Sequence, residues 1–129
     1  MRMLLATADP DLRLSLDLLF DEQPGVQIVG TASEGDSLRA LMHTSRSHLI
    51  LADWDLPGLP LSTIIAEARR MEPPIATLIT VNSSEGLDPA RDSGADAVVL
   101  KGTSPDHLLA VFRLLQRQII SKQETGKYE

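Results

Sequence analysis

The chain has 129 residues, 43% hydrophobic and 23% charged, proportions that fit one globular domain with a single core and exclude bulk disorder. It contains no cysteine, which excludes disulfides and thiolate chemistry, and no stretch approaches the roughly 20 apolar residues of a membrane helix. The net charge of −6 argues against a nucleic-acid surface, which needs clustered Lys and Arg; the nearest cluster, Arg69-Arg70, reads as a helix end.

The start, Met1 to Thr7, is too short for a secretory signal and soon reaches Asp9, so a cytoplasmic location is expected. Met3–Ala6 is a short apolar strand. Asp9 then caps a helix with Pro10 at its first position, and Leu12, Leu16 and Leu19 recur at helical spacing until Pro24-Gly25. Val26–Val29 is the second strand. Ser33 and Asp36 resemble a capping box before Leu38, Leu41 and Met42. The third strand spans about 48–53; its run Leu49-Ile50-Leu51-Ala52 lacks alternation, as in a strand covered on both faces. Asp53 ends that run abruptly, and a turn on Pro57-Gly58 follows. Ser62 precedes a helix carrying Ile64, Ile65 and Ala68, which Pro73-Pro74 stops. Ile75–Thr80 is the fourth strand, Asp88-Pro89 opens a short helix closed by Gly94, and Ala97–Leu100 is the fifth strand. Ser104-Pro105 opens the last helix, with Leu108, Phe112, Leu115 and Ile119 on its core face.

Five strands alternating with five helices predict an α/β fold with a doubly wound parallel sheet. Residues 1–122 form one domain, and the polar end, 123–129, reads as a tail or the start of a linker. Open sheets of this kind place their ligands at the carboxyl ends of the strands. Those ends deliver Thr7, Ala8 and Asp9, then Asp53, Thr80 and Lys101. A carboxylate, a hydroxyl and an ammonium on one rim suit phosphoryl transfer to Asp53, with Lys101 balancing charge and Thr80 donating a hydrogen bond.

The segments Leu-Ile-Leu-Ala-Asp53-Trp-Asp-Leu-Pro-Gly, Leu-Ile-Thr80-Val and Gly94-Ala-Asp-Ala-Val-Val-Leu-Lys101-Gly resemble the receiver domain of two-component response regulators. The resemblance covers about residues 3–122. It implies a flavodoxin-like three-layer sandwich, a phospho-acceptor role for Asp53, a switch role for Thr80, and the site lysine in Lys101. It also implies a sensor histidine kinase or other phosphodonor as partner, and a homodimer through the fourth helix, fifth strand and fifth helix. No nucleic acid or membrane is expected as a partner of this domain. Val26-Gln-Ile-Val-Gly-Thr-Ala and Ser104-Pro-Asp-His-Leu-Leu are similar to the subgroup that carries a helix-turn-helix output domain.

The chain departs from that family in its chemistry. Receivers end the first strand with adjacent acids that hold magnesium, and here Thr7 and Ala8 stand in their place. Asp9, Asp53 and Asp55 are what remains of a metal site, so magnesium is expected to bind weakly. Val98 replaces the aromatic residue that couples to the switch hydroxyl in many receivers.

Blander readings stand beside each of these. Asp53 can be a turn carboxylate, Thr80 and Lys101 ordinary strand-end residues, and a slip of one residue would put Ile79 at the switch position. Trp54 packs beside the site without a chemical role, and His43, His48 and His107 lack metal-ligand spacing. Two other functions compete: a pseudo-receiver that binds proteins without phosphorylation, and a phosphatase of the haloacid-dehalogenase type, whose Asp-x-Asp pattern Asp53-Trp54-Asp55 satisfies. The phosphatase needs its nucleophile after the first strand of its core and a later acidic pair for magnesium. After Lys101 the chain offers only Asp106, Glu124 and Glu129. An enzyme is therefore not expected.

Overall fold

Apolar strands that alternate their side chains between two faces need a cover on both, and the helices of this chain supply it in two layers. A computed structural model describes residues 1–127, with side-chain surroundings given for 1–122. Five parallel strands form one sheet in the order β2-β1-β3-β4-β5. They are β1 (Arg2–Ala6), β2 (Gln27–Ala32), β3 (Leu49–Asp53), β4 (Ala76–Val81) and β5 (Ala97–Leu100). The helices are α1 (Pro10–Asp21), α2 (Gly35–Thr44), α3 (Leu61–Arg70), α4 (Leu87–Asp92) and α5 (Pro105–Lys127).

On one face, Met3 and Leu5 of β1 and Leu49 and Leu51 of β3 pack with Phe20 of α1 and Phe112 and Leu115 of α5. The two phenylalanine rings meet edge to face, with centroids 4.9 Å apart and planes at 69°, a geometry worth roughly 0.5–1.5 kcal/mol beyond burial. On the other face, Leu4, Ile50, Ala52 and Ile79 pack with Leu38 and Met42 of α2, Ile64, Ile65 and Ala68 of α3, and Ala90 of α4. The strict alternation of Met3, Leu4, Leu5 and Leu49, Ile50, Leu51 between these two cores is the signature of a sheet buried on both sides.

The expected fold class is the observed one, and the fifth strand falls on the expected residues. Asp9 caps α1 through bonds from the Asp11 and Leu12 amides, and Ser104 caps α5 through the His107 amide. Four starts differ. The second strand begins at Gln27, one residue late, and continues through Gly30 to Ala32. A Cβ at Gly30 would stand 3.1 Å from methyls of Leu4 and Leu41, so glycine lets the sheet and α2 close over this edge. The capping box of Ser33 and Asp36 does not form: Glu34 is the cap residue and no side chain caps α2, because the Gly35 amide is bonded to the Pro57 carbonyl at 2.7 Å. Ser62 lies inside the first turn of α3, which begins at Leu61 after Pro60. Asp88 likewise lies inside α4, because a short 3-10 turn over Ser84–Gly86 has already begun the winding. The α5 helix runs on to Lys127, and residues 128 and 129 of the polar end lie outside the described residues.

Candidate functional site

Phase and register bring four polar side chains to one point. Thr7 follows β1, Asp53 ends β3, Thr80 is next to last in β4, and Lys101 follows β5. Thr7 is in phase with Met3 and Leu5, Asp53 with Leu49 and Leu51, Thr80 with Leu78, and Lys101 with Val99. All of these reference residues belong to the core under α1 and α5, so the four polar groups share that side of the sheet. Register sets their depth: Ala6 stands beside Ala52, Asp53 beside Thr80, and Val81 beside Leu100. The Trp54 amide bonds to the Thr80 carbonyl and the Lys101 amide to the Val81 carbonyl, both at 2.8 Å, which carries the strand pairing past the site.

Asp53 is only 5% exposed, and a buried carboxylate is costly unless paired and hydrogen-bonded. Here both oxygens are met. The Thr80 hydroxyl donates to Oδ1 at 2.5 Å and the Thr7 hydroxyl donates to Oδ2 at 2.5 Å. The Lys101 ammonium lies 2.9 Å from Oδ2, with about a quarter of its side chain open to solvent. The rim therefore pairs one negative charge with one positive charge and two neutral donors.

The structure thus brings Asp53, Thr80 and Lys101 together and adds Thr7. Ile79, the alternative to Thr80, is buried in the opposite core. Val98 also packs against that core, out of phase with Lys101. Ala8 is exposed, and Asp9 is held as the cap of α1. Asp55, the acid/base of the phosphatase reading, is exposed and accepts a hydrogen bond from the Asn82 side-chain amide. Trp54 is half-buried against the α2–α4 core. The histidines are engaged elsewhere: His43 faces Glu67, His48 accepts the Arg2 amide, and His107 lies at the start of α5. Two clefts of about 440 and 510 Å³ lie at the opposite pole, sharing His48, Pro73 and Ile75, and neither is lined by Asp53.

Thr7, which stands in the place of a metal-binding acid of the family, is a donor to Asp53, a role the sequence alone does not assign it. Its even spacing from Met3 and Leu5 was the available signal. Phe20 was also missed, although it continues the helical stripe four residues after Leu16.

A magnesium ion would need carboxylates and other oxygens free to bind it. Of the three aspartates expected to remain, Asp9 caps a helix, Asp55 pairs with Asn82, and Asp53 is occupied on both oxygens. Among the described residues no group of three or more His, Cys, Asp or Glu could hold a metal ion. The residues at this rim do not fit a carboxylate-anchored magnesium.

No family model matches the chain. Among curated proteins, the nitrate/nitrite response regulator NarL of Escherichia coli is 29% identical over 109 residues, 83% of this chain and 50% of its own length. The chain spans about half the length of the curated relatives it matches. Among solved structures, the isolated receiver domain of RcsB from Salmonella enterica serovar Typhimurium superposes with a TM-score of 0.81 at 20% identity, covering 91% of this chain and 88% of that one. The response regulatory domain of MrkE from Klebsiella pneumoniae does so with a TM-score of 0.85 at 14% identity, covering 94% and 99%. The chain has the response regulator receiver fold, and the curated relatives it matches are a response regulator and transcriptional regulatory proteins.

Proposed function

We propose that the chain is a signalling receiver that accepts a phosphoryl group on Asp53, with little contribution from magnesium. The observation that carries this reading is the Asp53 carboxylate held between the Thr80 hydroxyl and the Lys101 ammonium at the carboxyl end of the sheet. Oδ2 is held by a charge and a hydroxyl, whereas Oδ1 is held by one neutral hydroxyl, so Oδ1 is the freer nucleophile. It attacks the phosphorus of a phosphohistidine or acyl phosphate, the bond from phosphorus to the donor breaks, and the donor leaves with that electron pair. Lys101 balances the charge that enters, and Thr80 leaves Oδ1 to follow a phosphoryl oxygen. The phosphodonor is a sensor histidine kinase or similar protein, the setting is the cytoplasm, and the chain is not itself an enzyme.

Phosphorylation is read from intact mass after incubation with acetyl phosphate, with and without magnesium. A gain of one phosphoryl group that Asp53→Asn removes is the expected result, with magnesium changing its rate far less than in a receiver that carries the acidic pair. No gain, or a gain that survives Asp53→Asn, overturns the reading.

A second reading draws on the Thr7 bond. With both Asp53 oxygens already satisfied, the rim is closed before any phosphate arrives, and the domain works as a protein-binding module without phosphorylation. A beryllofluoride titration followed by Trp54 fluorescence separates the two: a change in emission supports the acceptor, and a flat response supports the module.

A further inference from the structure

The last helix outruns the sheet it covers. From Pro105 to Lys122 α5 rises about 27 Å, at about 1.5 Å per residue. The strands have four to six residues and span at most about 20 Å. The later turns of α5 therefore stand past the amino ends of the strands, where they wall a cleft of about 440 Å³. Ile119 and Lys122, three residues apart on one face of α5, line it together with Arg69 of α3 and the segment Pro73-Pro74-Ile75 that leads into β4. Most of this lining is apolar, and the two prolines add no backbone N–H donors. An apolar cleft of this size with a few charged groups is the usual form of a small-molecule site.

Two cations stand in the lining without a protein partner. Among the described residues neither Arg69 nor Lys122 makes a hydrogen bond or ion pair. Asp96, also in the lining, does not neutralise them: its Oδ2 takes the Thr77 amide at 2.8 Å. Arg69 nevertheless has a built seat. Gly94 has a φ of +99°, and a Cβ there would stand 3.0 Å from Arg69 Cδ and 3.3 Å from its Cζ. The guanidinium stem thus lies where a side chain at Gly94 would otherwise stand. The carbonyl end of α3 does not require Arg69, because Arg70 lies in the same last turn. The whole chain carries −6, which disfavours anions elsewhere on its surface.

We propose that this cleft binds a small amphipathic organic anion, with its carboxylate or phosphate group held by Arg69 and Lys122 and its apolar body lying on Pro73, Pro74, Ile75 and Ile119. A guanidinium meets either oxyanion with paired N–H donors, and an ammonium adds a point charge. A bare inorganic anion would leave the apolar walls uncovered, and an uncharged apolar molecule would leave the cations unused, so the site selects a ligand with both parts. The cleft lies at the opposite end of the sheet from Asp53, and the inference does not depend on the chemistry of that residue.

The probe is anilinonaphthalene sulfonate, an aromatic body with one anionic group, titrated against the full chain and followed by its emission. N-phenylnaphthylamine, the same body without the sulfonate, is the control. The sulfonate is expected to bind saturably at one site, at least about tenfold more tightly than the control. Arg69→Gln combined with Lys122→Gln should weaken the sulfonate about tenfold and leave the control unchanged. Both positions are exposed, and unchanged circular dichroism and melting confirm that the variant folds. Octanoate or octyl phosphate should displace the probe and octanol should not, the stronger competitor naming the head group. Amide shifts on binding should centre on Ile75, Ala76 and Asp96. The inference is overturned by a lack of saturable binding, by equal binding of the two probes, or by a double variant that binds like the wild type. Shifts centred instead on the exposed Leu14 and Leu18 of α1 overturn it as well.

Discussion

Thr7 decides what kind of pocket Asp53 occupies. Its hydroxyl gives a neutral donor to Oδ2 where a carboxylate would give a second negative charge. Two carboxylates at this distance resist joint ionisation and invite a cation, whereas a carboxylate with an ammonium and two hydroxyls is already balanced. The double substitution Thr7→Asp, Ala8→Asp should therefore create divalent-cation binding. Without metal the variant should melt lower than the wild type by about 1–3 kcal/mol of lost stability, and magnesium should raise its melting temperature and perturb Trp54 emission. The wild type should respond to magnesium in neither signal; an equal response in both proteins would show that Thr7 is not the deciding residue. Asp53 and Lys101 were legible in the sequence because each stands where an apolar strand stops, and Thr80 because it is a polar residue near the end of the fourth. The choice between Thr80 and Ile79 was not, since it rests on the pairing of Asp53 with Thr80 across two strands. Thr7 was hidden for the same reason: a hydroxyl becomes a partner of Asp53 only when β1 and β3 are set side by side.

At the scale of elements, the strands were readable and the helix starts often were not. An apolar run such as Leu49–Ala52 carries its own boundaries, because burial on both faces demands it. A helix start answers to whatever its amides meet. At α2 the Gly35 amide meets the Pro57 carbonyl, so the helix begins against the loop that follows β3 rather than on a Ser33 cap. That docking is tight enough to require glycine. A Cβ at Gly35 would fall 2.2 Å from the Leu59 carbonyl oxygen and 2.9 Å from its nitrogen, both of them backbone atoms that cannot step aside cheaply. Gly35→Ala should cost about 1–3 kcal/mol and lower the melting temperature by several degrees. The loop it displaces begins just after Asp53, so Trp54 emission should shift as well. A variant that melts like the wild type would mean that the loop yields freely, and that α2 does not hold it in place.

Across the whole molecule, the two ends of the sheet have different work. The carboxyl end carries the Asp53 rim, and the amino end is closed by a cross-link between β1 and β3 centred on His48. Its ring Nδ1 accepts the Arg2 amide at 2.9 Å, and its own amide donates to the Arg2 carbonyl at 2.8 Å. Burial first, then the nearby terminal amine and Arg2, hold the His48 pKa below its usual 6.5. A base whose pKa is lowered by folding binds its proton more readily in the unfolded chain, so this contribution to stability is complete above pH 6.5 and is lost as pH falls from there toward the folded value. Protonation would also remove the acceptor that the Arg2 amide uses. Glu67 acts in a lower window: hydrogen bonding from His43 holds its carboxyl below 4.5, so its contribution fades only in stronger acid. The melting temperature should therefore decline as pH falls below about 6.5, and His48→Asn, which keeps an acceptor but cannot titrate, should flatten that part of the profile. An unchanged slope in the variant would assign the decline to other groups. Phosphorylation of Asp53 should keep the same yield in this variant, because the β1–β3 cross-link lies a full strand length from the rim.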